Sequence, residues 1–387
     1  MDFTLHNTTE FMKRFGIGSA IGVVGIIVLV IFFNIGVAVK NILFPPKIEP
    51  ANQAYGPLPP IAFPEDVVPQ VFTYTVDTLD GTLPTFPDRL TVYPIVNESP
   101  NLLNLETVKD RVRKLGFVTK DGQPLAEIPQ GGSLYEWQET EGIQRDIIYD
   151  IVGLDFTLTS EYLRSLIVLN ARNLENEAAA VGLVERTLSV IDSFEDDIDL
   201  ESTLSPDPEN TYRTEPQLFS ITNGELVPST SLSRAHVIRV DLYQKNITYD
   251  LTAGTENDLT KFKDFEMDVP IMYPNPPYST MNFLIASGKT SSEIVSAIYS
   301  YQQITREPEE TATYPIKTAD EAFAALQDGN AYIAAYSGNA DQVFINKVYL
   351  GYYLGQEMQE YLLPVIVFEG SDGFFAYVPA LREQVVE

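Results

Sequence analysis

"YPIKTADEAFAALQDG" (314–329) is a short helix with both ends written into it, and the strands downstream of it decide the fold. Thr318 stands at the N-cap position with Glu321 three residues on, the spacing of a capping box. Gly329 comes just after the last turn, where a left-handed C-cap favours a residue without Cβ. Apolar residues at Ala322, Phe323 and Leu326 form one narrow stripe. Beyond the helix come "VFINKVYLGYY" (343–353), "LPVIVFE" (363–369) and "FFAYVPA" (374–380), all rich in β-branched and aromatic residues. Gly370-Ser371-Asp372-Gly373 turns the last two into a hairpin. An amphipathic helix and a half-buried antiparallel sheet each need a covering face, and each supplies the other's. The stripe Ala322/Phe323/Leu326 is therefore expected to pack on the sheet of 343–380.

The same order of elements occurs earlier. A helix near Asn104–Leu115, stopped by Gly116, precedes strand candidates at 134–139, 144–151 and 154–159, the first two joined through Thr140-Glu141-Gly142. Two further strands, 71–78 and 90–96, stand before that helix. The middle reads as a helix over Glu175–Ile191, an acidic loop over 192–214, and strands at Gln217–Thr222, Ala235–Tyr243 and Met281–Ala286. A further helix is expected near Ser291–Gln302, with Thr290 and Glu293 as its capping box. The class is α+β, with a first module over 71–165, a middle region over 166–310 and a C-terminal module over 311–387.

The N-terminal part is different. From Gly16 to Val39 there is no charge, and at about 1.5 Å per residue that stretch reaches roughly 36 Å as a helix, enough to cross a bilayer with some tilt. Lys13 and Arg14 precede it and Lys40 and Lys47 come after it, so the flanking charges tie. The expected arrangement is a short inner tail (1–15), one transmembrane helix (16–39) and the remainder outside the cell membrane. Gly36-Val37-Ala38 could pass for a signal-peptide cleavage site, but the apolar run is longer than such a peptide's core. Gly18, Gly22 and Gly25 fall on one helix face, with a GxxxG from Gly18 to Gly22, which lets a second helix approach closely in lipid. Residues 40–70 carry prolines at 45, 46, 50, 57, 59, 60, 64 and 69 and are expected to form an extended, semi-rigid stalk.

Composition narrows the function. With 25 Lys+Arg against 54 Asp+Glu and a formal charge of −29, the chain repels nucleic acid and anionic headgroups. Up to Lys47 there are two acids and four basic residues, so the acidity belongs to the body. Cysteine is absent, which removes disulfides, thiolate nucleophiles and cysteine metal sites together. Of the two histidines, only His236 lies in the body, on a strand face shared with Ile238, Val240 and Leu242, where a hydrogen-bonded core histidine is expected. No Gly-x-Ser-x-Gly elbow accompanies it. "SGKTSSE" (287–293) lacks the first glycine of a phosphate loop, since Phe283 stands in its place. "DSFEDDIDLE" (192–201) offers carboxylates of the kind calcium accepts, but without EF-hand spacing or a central glycine. Asp77-Thr-Leu-Asp-Gly81 breaks the aspartic-protease tripeptide. No catalytic residue, cofactor site or metal site is expected. The aromatic, proline-rich loop 273–279, with Tyr273, Pro276 and Tyr278, is the expected partner contact, or else a rigid crossover.

On the pattern "IKTADEAFAALQDG", then strand, then "LPVIVFEGSDGFFAYVPAL", the part from about 314 to 381 resembles the small α+β modules of the PepSY and YycH/YycI type. The overall plan is similar to the YycH/YycI accessory regulators: a short inner tail, one span and an outer domain of α+β units. The resemblance implies a regulator whose span and outer domain contact a membrane histidine kinase. The proline stalk and acidic middle depart from that plan. The expected function is that of a non-enzymatic, membrane-anchored envelope protein, a regulatory or scaffolding partner of another membrane protein or of itself. The alternatives are an extracytoplasmic hydrolase using a carboxylate pair, and a structural component of a secretion, pilus or division apparatus.

Overall fold

The computed structural model describes residues 51–64, 72–96, 102–139, 143–171, 173–250, 266–307 and 310–382. In chain order its strands are β1 (Thr73–Val76), β2 (Arg89–Pro94), β3 (Ile128–Gly131), β4 (Leu134–Glu139), β5 (Arg145–Asp150), β6 (Phe156–Ser160), β7 (Gln217–Thr222), β8 (Glu225–Pro228), β9 (Val237–Leu242) and β10 (Ile247–Asp250). Next come β11 (Glu266–Val269), β12 (Ile271–Met272), β13 (Met281–Ser287), β14 (Ser292–Tyr299), β15 (Ala312–Pro315), β16 (Tyr332–Ala335), β17 (Gln342–Tyr353), β18 (Tyr361–Gly370) and β19 (Phe374–Pro379). The α-helices are α1 (Leu102–Lys114), α2 (Leu166–Asn170), α3 (Glu177–Val190), α4 (Leu200–Leu204) and α5 (Ala319–Gln327).

Two large sheets organise these elements, and the α+β class holds. One sheet has nine strands in the order β3-β4-β5-β6-β14-β13-β9-β7-β8, every neighbour antiparallel. The other has eight, with the path β1-β17-β18-β19-β16; β12 joins at β17, and β2 at β18 with β15 beyond it. The expected modules do not map onto separate sheets. β6 and β14 pair across the boundary placed at 165, and β1 and β2 join the C-terminal sheet.

The opening helix behaves as its residues dictate. The Thr318 side chain accepts from Glu321 N and the Glu321 carboxylate from Thr318 N, completing the capping box, and Gly329 takes φ +77. Ala322 and Leu326 are buried with Ile366, Phe368, Ala376 and Val378, and Phe323 packs against the same group. The meander 343–380 forms as β17-β18-β19. The stretch 291–302 does not form a helix. It is strand β14, paired with β13 and β6. "EIVSAIY" is β-branched and aromatic, and Val295, Ala297 and Tyr299 are buried at period two, so two neighbouring strands outweigh the local capping signal. Glu293 instead accepts from Lys289 N across the hairpin turn.

β18 is buried almost end to end, so its sheet needs cover on both faces. Helix α5 covers one. The other takes residues 51–64, the described part of the expected stalk. Phe63 stacks on Tyr332 at 5.0 Å between ring centroids and meets Tyr353 edge-on at 4.8 Å. Tyr55 lies 4.9 Å from the Tyr361 ring, and Gln53 N donates to Thr313 O at 3.1 Å. These residues are therefore docked and not a free spacer, because Tyr55, Leu58, Ile61 and Phe63 cover apolar sheet surface that proline alone would leave bare. Phe63→Ala is expected to raise amide exchange at Gln53 and Gly56 about tenfold, equivalent to about 1.4 kcal/mol, while β17–β19 stay protected. Unchanged exchange at those two amides would remove Phe63 as the anchor of this segment.

Among the described residues no helix is long and apolar enough to cross a membrane. The stretch 16–39 lies outside them.

Candidate functional site

The nine-stranded sheet meets the C-terminal sheet along a polar seam. The segment after β14 runs beside the end of β2, with Val96 N donating to Gln303 O and Thr305 N to Pro94 O. Gln302 Nε2 donates to the carbonyls of Gly355 and Glu357, and Gln359 N donates back to Gln302 Oε1. A small cleft opens in this seam. Arg111 comes from α1, Leu154 and Asp155 from the turn before β6, Asp192 and Glu195 from the acidic loop after α3, Tyr299 and Tyr301 from β14 and its sequel, and Met358 from the loop before β18.

Two residues of this lining hold a left-handed backbone without being glycine: Leu154 at φ +58 and Asp192 at φ +50. For a side chain as large as leucine this is an unfavourable conformation, costing about 1–3 kcal/mol, and such strain concentrates at functional sites. It places Asp155 at the head of β6, where its Oδ1 accepts from Tyr301 N at 3.1 Å. Burial pushes the Asp155 carboxyl up to about 7; the Tyr301 N–H opposes this and the Asp150 charge adds to it. The Glu195 carboxyl is also raised, first by burial and then by Asp197, with Arg111 acting against both. The phenols of Tyr299 and Tyr301 are raised by burial too. Tyr299 donates to Ser193 O at 2.6 Å, and Tyr301 to Asp197 Oδ1 at 2.9 Å. Arg111 donates to Asp192 O at 2.7 Å. Its Nε, and the Tyr149 hydroxyl, are buried without a hydrogen-bond partner among the described residues.

A carboxyl poised near neutrality can take and release a proton without a large penalty. The space available limits what it can act upon. The cleft holds about 110 Å³, room for about three or four waters and well below the roughly 300 Å³ at which small-molecule sites begin.

The residues singled out from sequence lie elsewhere. Gly18, Gly22 and Gly25 fall outside the described residues. Tyr273 and Pro276 are buried and Tyr278 is half-buried. Gln244 N donates to the Tyr273 hydroxyl, Tyr243 donates to Pro277 O, and the Arg239 guanidinium sits 4.1 Å from the Tyr278 ring. The aromatic side chains of loop 273–279 thus have internal partners, while Asn275 is exposed. His236 is half-buried just before β9, its Nδ1 accepting from Ile221 N at 3.1 Å. Two carboxylates of the acidic loop turn inward, Asp199 to Arg213 and Asp197 to Gln244 and Tyr301, whereas Asp192 is largely exposed. Among the described residues no group of three or more His, Cys, Asp or Glu is placed to hold a metal ion. Asp155 went unnoticed in sequence because "LDFTLT" reads only as the start of a strand, and neither its burial nor the backbone of Leu154 leaves a local mark.

No family model matches the chain, and no curated protein matches it. Among solved structures it is similar to an uncharacterised protein from Eubacterium rectale, over 77% of this chain and 89% of that one, with 11% sequence identity and a TM-score of 0.35.

Proposed function

We propose that the chain is a single-pass membrane-anchored protein of the cell envelope whose outer α+β body works by binding, as a regulatory or scaffolding partner of another membrane protein. The observation that carries this reading is the uncharged apolar stretch 16–39, whose length suits a bilayer and whose Gly18, Gly22 and Gly25 suit close helix contact. The test is capture from detergent-solubilised membranes. Exchange of 16–39 for polyleucine is expected to lose a defined membrane partner, and Gly22→Leu to cut in-membrane cross-linking at least fivefold. Recovery of the full chain in the soluble fraction after lysis sinks the anchor, and unchanged cross-linking sinks the glycine face.

One observation favours a second reading, an extracytoplasmic carboxylate-dependent hydrolase: Asp155 and Glu195 line one cleft, and burial raises both. That reading requires a substrate turned over by the full chain and spared by Asp155→Asn. The binding reading expects no such turnover.

A further inference from the structure

We propose that the groove between α1, α3 and the nine-stranded sheet binds a long-chain carboxylate, an amphiphile with one anionic head and one unbranched apolar tail. Helix α3 turns two small residues, Ala179 and Ala180, toward the inner end of the groove. A helix that packs on a sheet through alanine leaves space that larger side chains would fill. Two cavities lie beneath this helix, about 260 Å³ and, at the alanines, about 190 Å³, adjoining at Leu183 and Arg186, which line both. The floor of the larger is made by Phe156, Leu158, Phe283 and Ala297, buried residues on adjacent strands. Ala297 is opposite both Leu158 and Phe283 in the ladder. The tail of a single-chain amphiphile matches this narrow, apolar floor.

The mouth supplies the head's partners. In a chain of net charge −29, the larger cavity gathers Lys114, Arg145 and Arg186. Lys114 and Arg145 have acidic neighbours, Asp110 at 3.0 Å and Glu139 at 2.7 Å, and Arg145 also reaches the Leu115 carbonyl that ends α1. Arg186 is exposed and has no ion pair or hydrogen bond among the described residues. Two acids line the pair of cavities: Glu293 turns its carboxylate to Lys289 N, and Glu175 lines the smaller one and makes no ion pair with Arg186 among the described residues. A guanidinium without an ion pair, beside an apolar trough, is matched by a carboxylate carried on a tail. A cationic amphiphile would face repulsion there, and a neutral one would gain no charge attraction. This site is separate from the seam cleft and does not depend on the membrane anchor.

The test is photolabelling of the full chain with dodecanoate carrying a terminal diazirine, followed by peptide mapping. Label is expected on peptides containing Phe156, Leu183 or Phe283, competed by dodecanoate at least tenfold better than by dodecylamine or dodecanol. Arg186→Glu, a change on the exposed side of α3, is expected to weaken labelling about tenfold with the circular dichroism spectrum retained. Leu183→Trp, which fills the junction of the two cavities, is expected to abolish it. Label that maps elsewhere, that survives Arg186→Glu undiminished, or that dodecylamine competes equally well overturns the proposal.

Discussion

Replacing Arg213 with Ala is expected to lower the stability of the body by about 3–5 kcal/mol, the cost of breaking a buried ion pair from one side. The Arg213 side chain is 3% exposed and meets Asp199 at 2.7 Å. Its other terminal nitrogen donates to Gln244 O at 2.8 Å and to Asn246 Oδ1 at 2.7 Å. The rings of Tyr212 and Tyr243 flank it at 5.8 Å and 5.2 Å. One guanidinium therefore joins the cap of α4 to the end of β9, and its removal leaves the half-buried Asp199 carboxylate with its cap bond to Ser202 N but no ion partner, and takes the Arg213 donor from the buried Gln244 carbonyl. Arg213→Lys keeps the charge but loses the fork, so it should recover less than half of the loss. Denaturant unfolding of both variants measures this, and a loss below about 1 kcal/mol for the alanine variant would mean that this network adds little.

Asp155→Asn is expected to stabilise the protein, and to do so only above acid pH. The folded state holds the Asp155 proton up to about 7, against the usual 3.8 of the free carboxyl. Folding therefore retains a proton that the unfolded chain gives up earlier. Stability attached to this group is fully present below about pH 4, declines between 4 and 7, and is flat above. The whole decline amounts to at most about 4 kcal/mol at 1.36 kcal/mol per unit. Asparagine keeps an acceptor for Tyr301 N and has no proton to lose. The difference between variant and native protein should be near zero at pH 4 and grow to a few kcal/mol by pH 8. A difference that does not change with pH would show that Asp155 titrates as an ordinary surface carboxyl.

Much of the local structure could be read from residue order. The helix at 319–327 and the meander after it were legible because cap, stripe and turn residues all act within a few positions of one another. His236 was legible for a related reason: its strand context already supplied a dull explanation. What escaped was set by pairing at a distance. Nothing in "TYTV" says that it will lie parallel to β17, and nothing in "SEIVSAIY" excludes a helix until β13 and β6 are placed on either side. Prolines at 57, 59 and 60 forbid helix, but whether such a segment stands free or lies down depends on the aromatic rings of a sheet far along the chain. The seam cleft belongs to the same class, since Asp155, Glu195 and Tyr301 acquire their shared burial only when three separate segments meet.

The pairing of β1 with β17, Thr73 opposite Gln342, imposes a timetable. A ribosome delivers the early strand long before its neighbour exists, and the docked segment at 51–64 likewise waits for residues near 313 and 361. Closing so long a loop is slow compared with local hairpin formation. Until the final meander has been synthesised, the head of the body presents bare strand edges and aromatic side chains that invite aggregation. A nascent chain stalled before residue 342 should therefore depend on a chaperone, and shortening the protein at its tail should unfasten its beginning.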